Sequence, residues 1–293
     1  MRAVSRHIEV AERYLNRGRV EREDDLFNDV IYRTNQAFEG MLKEAYTVLT
    51  DQDGSKVTPF EIESHLLKAS VFGSRVMDLF TNYRKNWRNP STHDHKFVVT
   101  EQEALLAIVS VSAFTSILID QIVEKVNKKR EQEAVQSRKA DLENKLKEQG
   151  DSSFSEALVN LLEVFNYDLL DSKVDVAKLS EIEILGRLTG FLEALNPGIE
   201  VKRQAKIRNT RMRPDLIVTG GTESVVIEVK RPGTKLMSAD SAIHQMIAYL
   251  HAGSLRFGII FVPASAKQML QRSDVKAFVG SGEATIRLLM PRI

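Results

Sequence analysis

The chain contains no cysteine among its 293 residues. Disulfide bonds and cysteine-ligated zinc sites are therefore excluded, and the composition is compatible with a reducing cytoplasm. The pattern Gly-x-x-x-x-Gly-Lys-Ser/Thr is also absent, so we expect no phosphate-binding loop and no ATP-driven movement along DNA. The net charge of +1 favours no class of partner by itself.

Long apolar runs are scarce as well. The longest, residues 104–119, is interrupted by four serine and threonine residues. We therefore expect no bilayer-spanning segment and no membrane partner. Residues 1–10 lack the apolar core of a signal peptide. Together these features predict a soluble, cytoplasmic protein.

The length is comfortable for two domains, and the two halves of the chain differ in pattern. In residues 1–127, apolar residues recur at helical spacing, and Thr58-Pro59-Phe60-Glu61 carries the residues of a capping box. The predicted helices cover residues 24–49, a segment from residue 58, residues 70–87 and residues 100–126, with a break at Asn89-Pro90-Ser91.

Residues 128–150 are almost wholly polar and of mixed charge. They continue the helical pattern without an apolar stripe, which predicts a solvated connecting helix and a domain boundary near Gly150-Asp151. A coiled coil is the alternative, but sustained heptads are absent.

Residues 151–293 alternate between helical and β-branched segments. We expect helices at 154–170, from Glu181 onward, at 239–251 and at 266–272, and strands at 199–207, 215–218, 225–229, 257–262 and 285–290. Such alternation predicts an α/β domain with a mixed central sheet. The fold class is therefore α + α/β, with an all-helical bundle over residues 1–127 and an α/β domain over residues 151–293.

Two acids and a lysine stand on two short β-branched runs of this second half. Asp215 lies on the first run, Glu228 and Lys230 lie on the second, and Gly220-Gly221 between them predicts a hairpin. Because side chains alternate along a strand, Glu228 and Lys230 point to the same face, toward the acid of the neighbouring strand. Paired carboxylates bind a hard cation such as Mg²⁺, and a nearby lysine can polarise water or stabilise phosphate charge.

This pattern, Pro214-Asp215 followed by Glu228-x-Lys230, resembles the PD-(D/E)XK nuclease superfamily. The segment from Glu228 to Pro232, Glu-Val-Lys-Arg-Pro, is similar to the nuclease domain of type I restriction enzymes. Gln245-x-x-x-Tyr249 resembles an additional motif of that group and of RecB-type nucleases. The resemblance covers roughly residues 178–265.

The resemblance implies a restriction-endonuclease-like fold and metal-dependent cleavage of phosphodiester bonds. It assigns Asp215, Glu228, Lys230 and Gln245 to catalysis, with Mg²⁺ or Mn²⁺ held by Asp215 and Glu228. The alternative is a strand pair with a structural ion pair, although burying such charges without a role is costly.

The same family pattern places a further acid on the helix before the first strand, and two residues are candidates. Glu181 shares a helical face with the apolar positions i+4, i+7 and i+11, whereas Glu183 lies on the other side. We assign Glu181 to the catalytic group. The alternative is that Glu181 only interacts favourably with the dipole of a helix capped by Ser180.

Six basic residues and no acidic residue lie between Val201 and Arg213. They are Lys202, Arg203, Lys206, Arg208, Arg211 and Arg213. A basic strand and turn leading to Asp215 suits contact with a phosphate backbone, so we assign these six, with Tyr249, to nucleic-acid binding. The alternative is a solvated edge hairpin in which basic residues discourage strand addition.

A second motif lies in the helical half, where Arg88 and His93 are separated by Asn-Pro-Ser-Thr. This spacing resembles the R-x-x-x-x-H motif of HEPN domains, many of which are metal-independent ribonucleases. The resemblance implies that Arg88 holds the phosphate, that His93 moves the proton and that the site forms in a homodimer. Alternatively, the segment is a surface loop with local pairing, or His95 takes the role of His93. Glu39 could pair with Arg88.

The sequence therefore predicts a Mg²⁺-dependent endonuclease that acts on DNA, with a possible second, HEPN-type ribonuclease activity on RNA. Two such modules without a motor resemble antiphage defence effectors, an inference from fold-level analogy. The alternative from another class is a nucleic-acid-binding protein without catalysis, whose helical half dimerises or senses a ligand.

Overall fold

The structure, a computed structural model, describes residues 2–68, 74–94, 96–147, 153–172, 174–196, 198–208, 210–232, 236–265, 268–280 and 282–291. The chain divides into two compact units, Met1–Lys125 and Val126–Ile293. The described part of the first unit is helical, and that of the second combines helices with a six-stranded sheet. A helical first part and a second part with a mixed sheet are confirmed, and the domain bounds given from the sequence stay a prediction.

The described helices of the first unit follow the apolar spacing of the sequence. They are α1 (Arg2–Glu21), α2 (Asp25–Thr50), α3 (Pro59–Lys68), α4 (Ser74–Tyr83), α5 (Asn89–His93) and α6, which is Glu101–Lys147 and continues into the second unit. The capping box at the start of α3 is confirmed, because Glu61 N donates to Thr58 Oγ1 and Thr58 N donates to Glu61 Oε2. Phe38, Phe80 and Phe114 pack ring against ring in the core.

The chain stays helical at Asn89-Pro90, so the predicted break is wrong. A π-helical turn, Arg84–Arg88, joins α4 to α5, and Asn89 N donates to the carbonyl oxygen of Arg84. A wider turn directly before Pro90 accommodates the proline ring, which would clash with the preceding turn of a regular α-helix. The helix ends instead at His93, and Asp94 is extended.

α6 covers the helix predicted at residues 100–126 and most of the connecting helix predicted after it, through Lys147. It contains the one segment of the described chain that is long and apolar enough to cross a bilayer by length and composition, a test that core helices of soluble proteins also meet. This test alone does not overturn the expectation of no bilayer-spanning segment. Ala104, Ala107, Val111, Phe114 and Leu118 are buried, as on a core helix. A soluble, cytoplasmic protein stays a prediction.

The polar part of α6 is not solvated along its length as predicted. Val135 and Leu142 are fully buried in the core of the second unit, and Leu146 packs against it. These residues are seven and eleven positions apart, which places them on one helical face. Glu131 on the same stretch is also buried and pairs with Arg187 at 3.2 Å. The apolar stripe was too narrow to stand out among the charges.

The second unit contains the following further elements among its described residues. They are α7 (Phe154–Asp171), α8 (Glu181–Leu195), β1 (Ile199–Arg203), β2 (Leu216–Gly220), β3 (Glu223–Val229), α9 (Leu236–Gly253), β4 (Phe257–Phe261), β5 (Leu270–Val279) and β6 (Gly282–Pro291). The strand order is β1-β2-β3-β4-β6-β5. β3, β4 and β6 run parallel, and the remaining pairs are antiparallel, which confirms a mixed central sheet.

Two elements differ from their predicted extent. The first strand ends at Arg203 rather than at Ile207. The helix predicted at residues 266–272 is wrong where the structure describes it, because Leu270, Gln271 and Arg272 belong to β5. β5 and β6 form an antiparallel hairpin in which Val279 pairs with Gly282. Residues 266 and 267 lie outside the described residues.

The two faces of β3 have different surroundings, as its alternation predicts. Val225, Ile227 and Val229 belong to the core formed with α7 and α8. Val226 belongs to a second core formed with residues of α9. Glu228 is the buried exception on the α9 face, and only 4% of its surface is exposed.

Candidate active site

The register of the β2–β3 hairpin brings the two predicted acids together. Leu216 pairs with Ile227 and Gly220 pairs with Glu223, so the hairpin closes through Gly221 and Thr222. Gly221 has a φ of +59°, a conformation that glycine adopts without strain. Asp215 directly precedes β2 and is therefore opposite Glu228.

Hydrogen bonds fix the geometry of this group. Asp215 Oδ2 accepts from Val229 N at 2.9 Å, and Asp215 N lies 3.4 Å from Glu228 Oε2. Lys230 Nζ donates to Glu228 Oε1 at 2.8 Å. Lys230 N donates to the carbonyl oxygen of Phe261, which holds the backbone of Lys230 beside β4. The predicted juxtaposition of two acids and one lysine is present.

The electrostatics of Asp215 are strongly perturbed. Burial raises the pKa of Asp215 to about 6, and the negative charges of Glu228 and Glu181 add to the effect. The hydrogen bond from Val229 N and the positive charge of Lys230 oppose the rise in pKa but do not cancel it. A buried carboxyl next to other carboxyls favours protonation or a bound cation.

Lys230 stays protonated at neutral pH. Burial lowers the pKa of Lys230, but the hydrogen bond to Glu228 and the charges of Glu228, Asp215 and Glu181 outweigh burial, so the pKa is raised. Lys230 is therefore a positive charge held among carboxylates. It can stabilise negative charge and is poorly suited to accept a proton.

These pKa shifts give a stability prediction for the protein in EDTA. The folded-state pKa of Asp215 is about 6, above its ordinary value. The contribution of the protonated carboxyl to the free energy of unfolding is therefore full below about pH 4 and is lost as the pH rises through 6. Asp215→Asn never ionises, so we expect it to be more stable than the wild type at pH 8 by on the order of 2 kcal/mol, or about 5 °C in Tm. Thermal unfolding followed by circular dichroism measures the difference.

The difference in Tm should become small at pH 4, where the carboxyl of the folded wild type is protonated. Asp240→Asn, on an exposed position of α9, controls for the loss of one negative charge. A gap between wild type and Asp215→Asn that is the same at pH 4 and pH 8 would contradict the raised pKa.

Gln245 and Tyr249 lie one helical turn apart on α9, as their spacing predicts. Gln245 Nε2 donates to the Tyr249 hydroxyl at 2.5 Å, and that hydroxyl lies 3.4 Å from the carbonyl oxygen of Arg213. Burial raises the pKa of Tyr249, and the charge of Glu228 adds to it. The hydroxyl is therefore protonated and close enough to the acids to be influenced by them.

The helix α8 distinguishes the two candidate acids in its first turn. Glu183 is used in a capping box, because its Oε2 accepts from Ser180 N at 2.8 Å while Glu183 N donates to Ser180 Oγ. Glu181 makes no such cap, and its charge raises the pKa values of Asp215 and Lys230. Glu181 therefore lies near the acids, and Glu183 stabilises the start of the helix.

The basic stretch is divided among several environments. Lys202 lies on the edge strand β1 and pairs with Glu200 at 2.9 Å. Arg208 Nη1 donates to Ser254 Oγ, and Arg213 Nη1 donates to the carbonyl oxygen of Gln204. Lys206 and Arg211 are exposed and form no ion pair with the described residues, whereas Arg203 is half-buried.

Two carboxylates are the potential metal ligands of this group. No set of three or more histidine, cysteine, aspartate or glutamate side chains is arranged to hold a metal ion within the described ranges. Asp215 and Glu228 offer carboxylate oxygens at one place, and backbone carbonyls and water supply further oxygen ligands in many magnesium sites.

The second predicted pair lies in the first unit. Arg88 Nε donates to Glu39 Oε1 at 2.8 Å, so the predicted pairing of Arg88 with Glu39 is confirmed. Arg88 Nη1 also donates to Asn89 Oδ1 at 3.2 Å. His93 is exposed at the end of α5, and His95 lies outside the described residues.

Sequence reasoning missed the backbone groups that organise the site. Val229 N and the carbonyl oxygen of Arg213 hold Asp215 and Tyr249 respectively. Backbone atoms carry no residue signature, so only the strand register could have revealed Val229 N, and nothing in the sequence indicated the contact with Arg213.

Comparison of the chain with protein-family models, with curated proteins and with solved structures found no match. The resemblances in the sequence are therefore hypotheses that depend on the residues themselves.

Proposed function

We propose that the second unit is a metal-dependent nuclease that hydrolyses phosphodiester bonds of DNA. The observation that carries the proposal is the meeting of Asp215, Glu228 and Lys230 at one end of the β2–β3 hairpin. Three charged groups in a largely buried position reduce stability, and proteins accept such a cost mainly at functional sites. The PD-(D/E)XK resemblance gives that purpose.

The donor set fits a hard divalent cation, Mg²⁺ or Mn²⁺. Asp215 and Glu228 would hold it, because carboxylate oxygens are the ligands that such ions prefer. Burial and the acidic neighbours raise the pKa of Asp215 to about 6, so its ionised form is destabilised. A bound cation would stabilise that ionised form. Such an ion activates water and neutralises charge on a phosphate when bound.

The protein side chains would perform the remaining tasks. Lys230, held protonated by Glu228, would stabilise the negative charge that develops on the phosphate. Gln245 and Tyr249 present an amide and a hydroxyl from α9 next to the acids, which suits positioning of the substrate. Glu181 adds a third carboxylate near Asp215.

The experiment is an assay of the purified chain on plasmid DNA with Mg²⁺ and with EDTA. Cleavage that requires Mg²⁺ supports the proposal. Binding of DNA without cleavage under either condition favours the rival, a nucleic-acid-binding protein without catalysis.

Exposed members of the basic stretch would hold the phosphate backbone. Lys206 and Arg211 suit this role because both are exposed in the turn between β1 and Asp215. Lys206→Ala should reduce the slope of log K against log salt by about 0.9, since one released counterion per phosphate contact sets the slope. Adding Arg211→Ala should bring the reduction to about 1.8. Binding to duplex DNA, measured by fluorescence anisotropy across a salt series, reports the slope.

Lys178→Ala is the matched control, because Lys178 is an exposed lysine of the same unit outside the basic stretch. Its slope should equal that of the wild type. If Lys206→Ala also leaves the slope unchanged, Lys206 faces away from the nucleic acid and the stretch is a solvated edge.

We propose a second, metal-independent ribonuclease activity for the first unit, supported by the position of Arg88 and His93. Arg88 is anchored by Glu39, and the hydroxyls of Ser91 and Thr92 donate to the Arg88 carbonyl oxygen, so the segment between the two residues is ordered. His93 is exposed to a substrate. The HEPN resemblance supplies the chemistry.

In this reaction His93 takes the proton from an RNA 2′-hydroxyl. The oxygen attacks the adjacent phosphorus, the bond from phosphorus to the 5′-oxygen breaks, and His93 returns the proton it has taken to that leaving oxygen. The products are a 2′,3′-cyclic phosphate and a 5′-hydroxyl. Arg88 would bind the phosphate, because a guanidinium donates several parallel hydrogen bonds to it. A homodimer would complete the site, with the exposed Leu105, Leu106 and Val109 of α6 available to a second copy.

A further inference from the structure

A cavity of about 450 Å³ opens in the first unit beside the Arg88–His93 segment. Its lining includes residues of α2, the end of α5 and the chain that follows α5. The volume lies within the range of about 300–1,000 Å³ that small-ligand sites occupy. Ser91 and Thr92, which stand between Arg88 and His93, are part of the lining.

The walls combine aromatic rings with polar groups. Tyr32 and Phe97 both line the cavity, and 57% of the Tyr32 surface is exposed. The guanidinium of Arg33 lies 5.6 Å from the centre of the Tyr32 ring. An exposed aromatic ring in the lining suits a flat ligand, because a base can stack on the ring.

Hydrogen bonds hold the polar groups of the lining in place. Asn35, of which 8% is exposed, donates from Nδ2 to Ser91 Oγ at 2.7 Å, and its Oδ1 lies 3.0 Å from the buried Tyr83 hydroxyl. Asn28 Oδ1 accepts from Val99 N at 3.1 Å. The Nδ2 group of Asn28 then remains as a donor for a ligand. These walls are preorganised, which lowers the entropy cost of binding.

Asp94 is the charged group of the lining, and its carboxylate is also fixed. Asp94 Oδ1 accepts from Lys96 N at 2.9 Å, and Asp94 N donates to the carbonyl oxygen of Pro90 at 2.8 Å. The side chain is otherwise exposed, so its second oxygen and the remaining lone pair of Oδ1 are accessible to a ligand. The cavity therefore offers two acceptors from Asp94 and a donor from Asn28.

Among the nucleobases, guanine matches this set of groups best. Its N1–H and N2 amino group donate side by side, as a carboxylate requires, and its O6 and N7 accept from an amide. Adenine would place the lone pair of its N1 against the carboxylate, which disfavours it. We propose that this cavity binds the guanine base of a guanosine nucleotide, either free or within single-stranded RNA.

This inference concerns binding and requires neither of the cleavage activities proposed above. The test is titration calorimetry of the full chain in EDTA with guanosine 5′-monophosphate, adenosine 5′-monophosphate and a short uridine-rich RNA that contains one guanosine. We expect saturable binding of the guanosine ligands and at least about tenfold weaker binding of the adenosine nucleotide. Tighter binding of the RNA than of the free nucleotide identifies RNA as the source of the base.

Asp94→Asn keeps the turn to Lys96 N but loses the charged acceptor, so guanosine binding should weaken at least about tenfold. Asp29→Asn is the matched control, because Asp29 is an exposed acid on α2 next to Asn28 and does not line the cavity. Tyr32→Ala, at an exposed position, should also weaken binding about tenfold through lost stacking.

The proposal is overturned if neither guanosine ligand binds at concentrations up to about 1 mM. Equal affinity for the two nucleotides, or an Asp94→Asn protein that binds as the wild type does, overturns it as well. If guanosine does not bind but DNA is cleaved, only the binding proposal fails. If guanosine binds but DNA is not cleaved, only the nuclease proposal fails.

Discussion

Asp215→Ala is expected to remove Mg²⁺-dependent DNA cleavage, with a fall in rate of about 10² or more. The substitution deletes one of the two carboxylates that would hold the cation, and loss of one preorganised electrostatic group at a reacting centre costs a factor of this order. The fold should persist, because Asp215 contributes charge rather than apolar volume to the core. Cleavage of supercoiled plasmid, with circular dichroism as the check on folding, measures both.

Asp240→Ala is the control for this experiment, since it removes an exposed acid from α9 in the same unit. It should cleave as the wild type does. A thermal shift assay adds a readout without catalysis: Mg²⁺ should raise the Tm of the wild type and not that of Asp215→Ala. Full cleavage in EDTA, or by the Asp215→Ala protein, would contradict the proposed function.

His93→Ala is expected to abolish RNA cleavage in EDTA, with a loss of about 10²–10⁴ in rate, the usual contribution of a general acid or base. The wild type should leave 2′,3′-cyclic phosphate ends, which mild acid hydrolyses to 2′- or 3′-monophosphate ends. Because the reaction uses no metal, Asp215→Ala should cut RNA normally. The two variants should therefore respond in opposite ways on the two substrates.

His251→Ala, at an exposed position of α9, controls for the loss of a histidine. Its RNA cleavage should match that of the wild type. If RNA remains intact with and without Mg²⁺, the first unit is a scaffold or a sensor, and the second unit alone carries any cleavage activity.

The juxtaposition of the two acids could be predicted because it depends on local rules. The glycine-marked turn, which lies at Gly221-Thr222, one residue later than predicted, and the alternation along β3 determine which side chains face each other. The assignment of Glu181 over Glu183 also followed from helical spacing. The structure adds the reason that Glu183 does not join the acids: its carboxylate accepts a hydrogen bond from Ser180 N at the start of α8.

Features that depend on distant partners could not be predicted in this way. Val135 and Leu142 are buried only because α7 and α8 supply apolar cover, and a polar stretch with few apolar residues resembles a solvated helix. Leu270–Val279 becomes a strand through pairing with β6, which a short segment does not reveal. The cavity beside Asp94 is similarly assembled from separate segments, so no motif marked it.

The short turn between β2 and β3 also has a consequence for how the site would assemble during folding. Asp215 and Glu228 are only 13 residues apart in the chain, so closing the hairpin brings them together at a small loop-closure cost. Hairpins form in microseconds, whereas contacts between distant segments are slower. The two carboxylates would therefore meet early, and their mutual repulsion would act against the hairpin until Lys230 and a cation neutralise it. Divalent ions should accordingly accelerate refolding of the second unit as well as stabilise it.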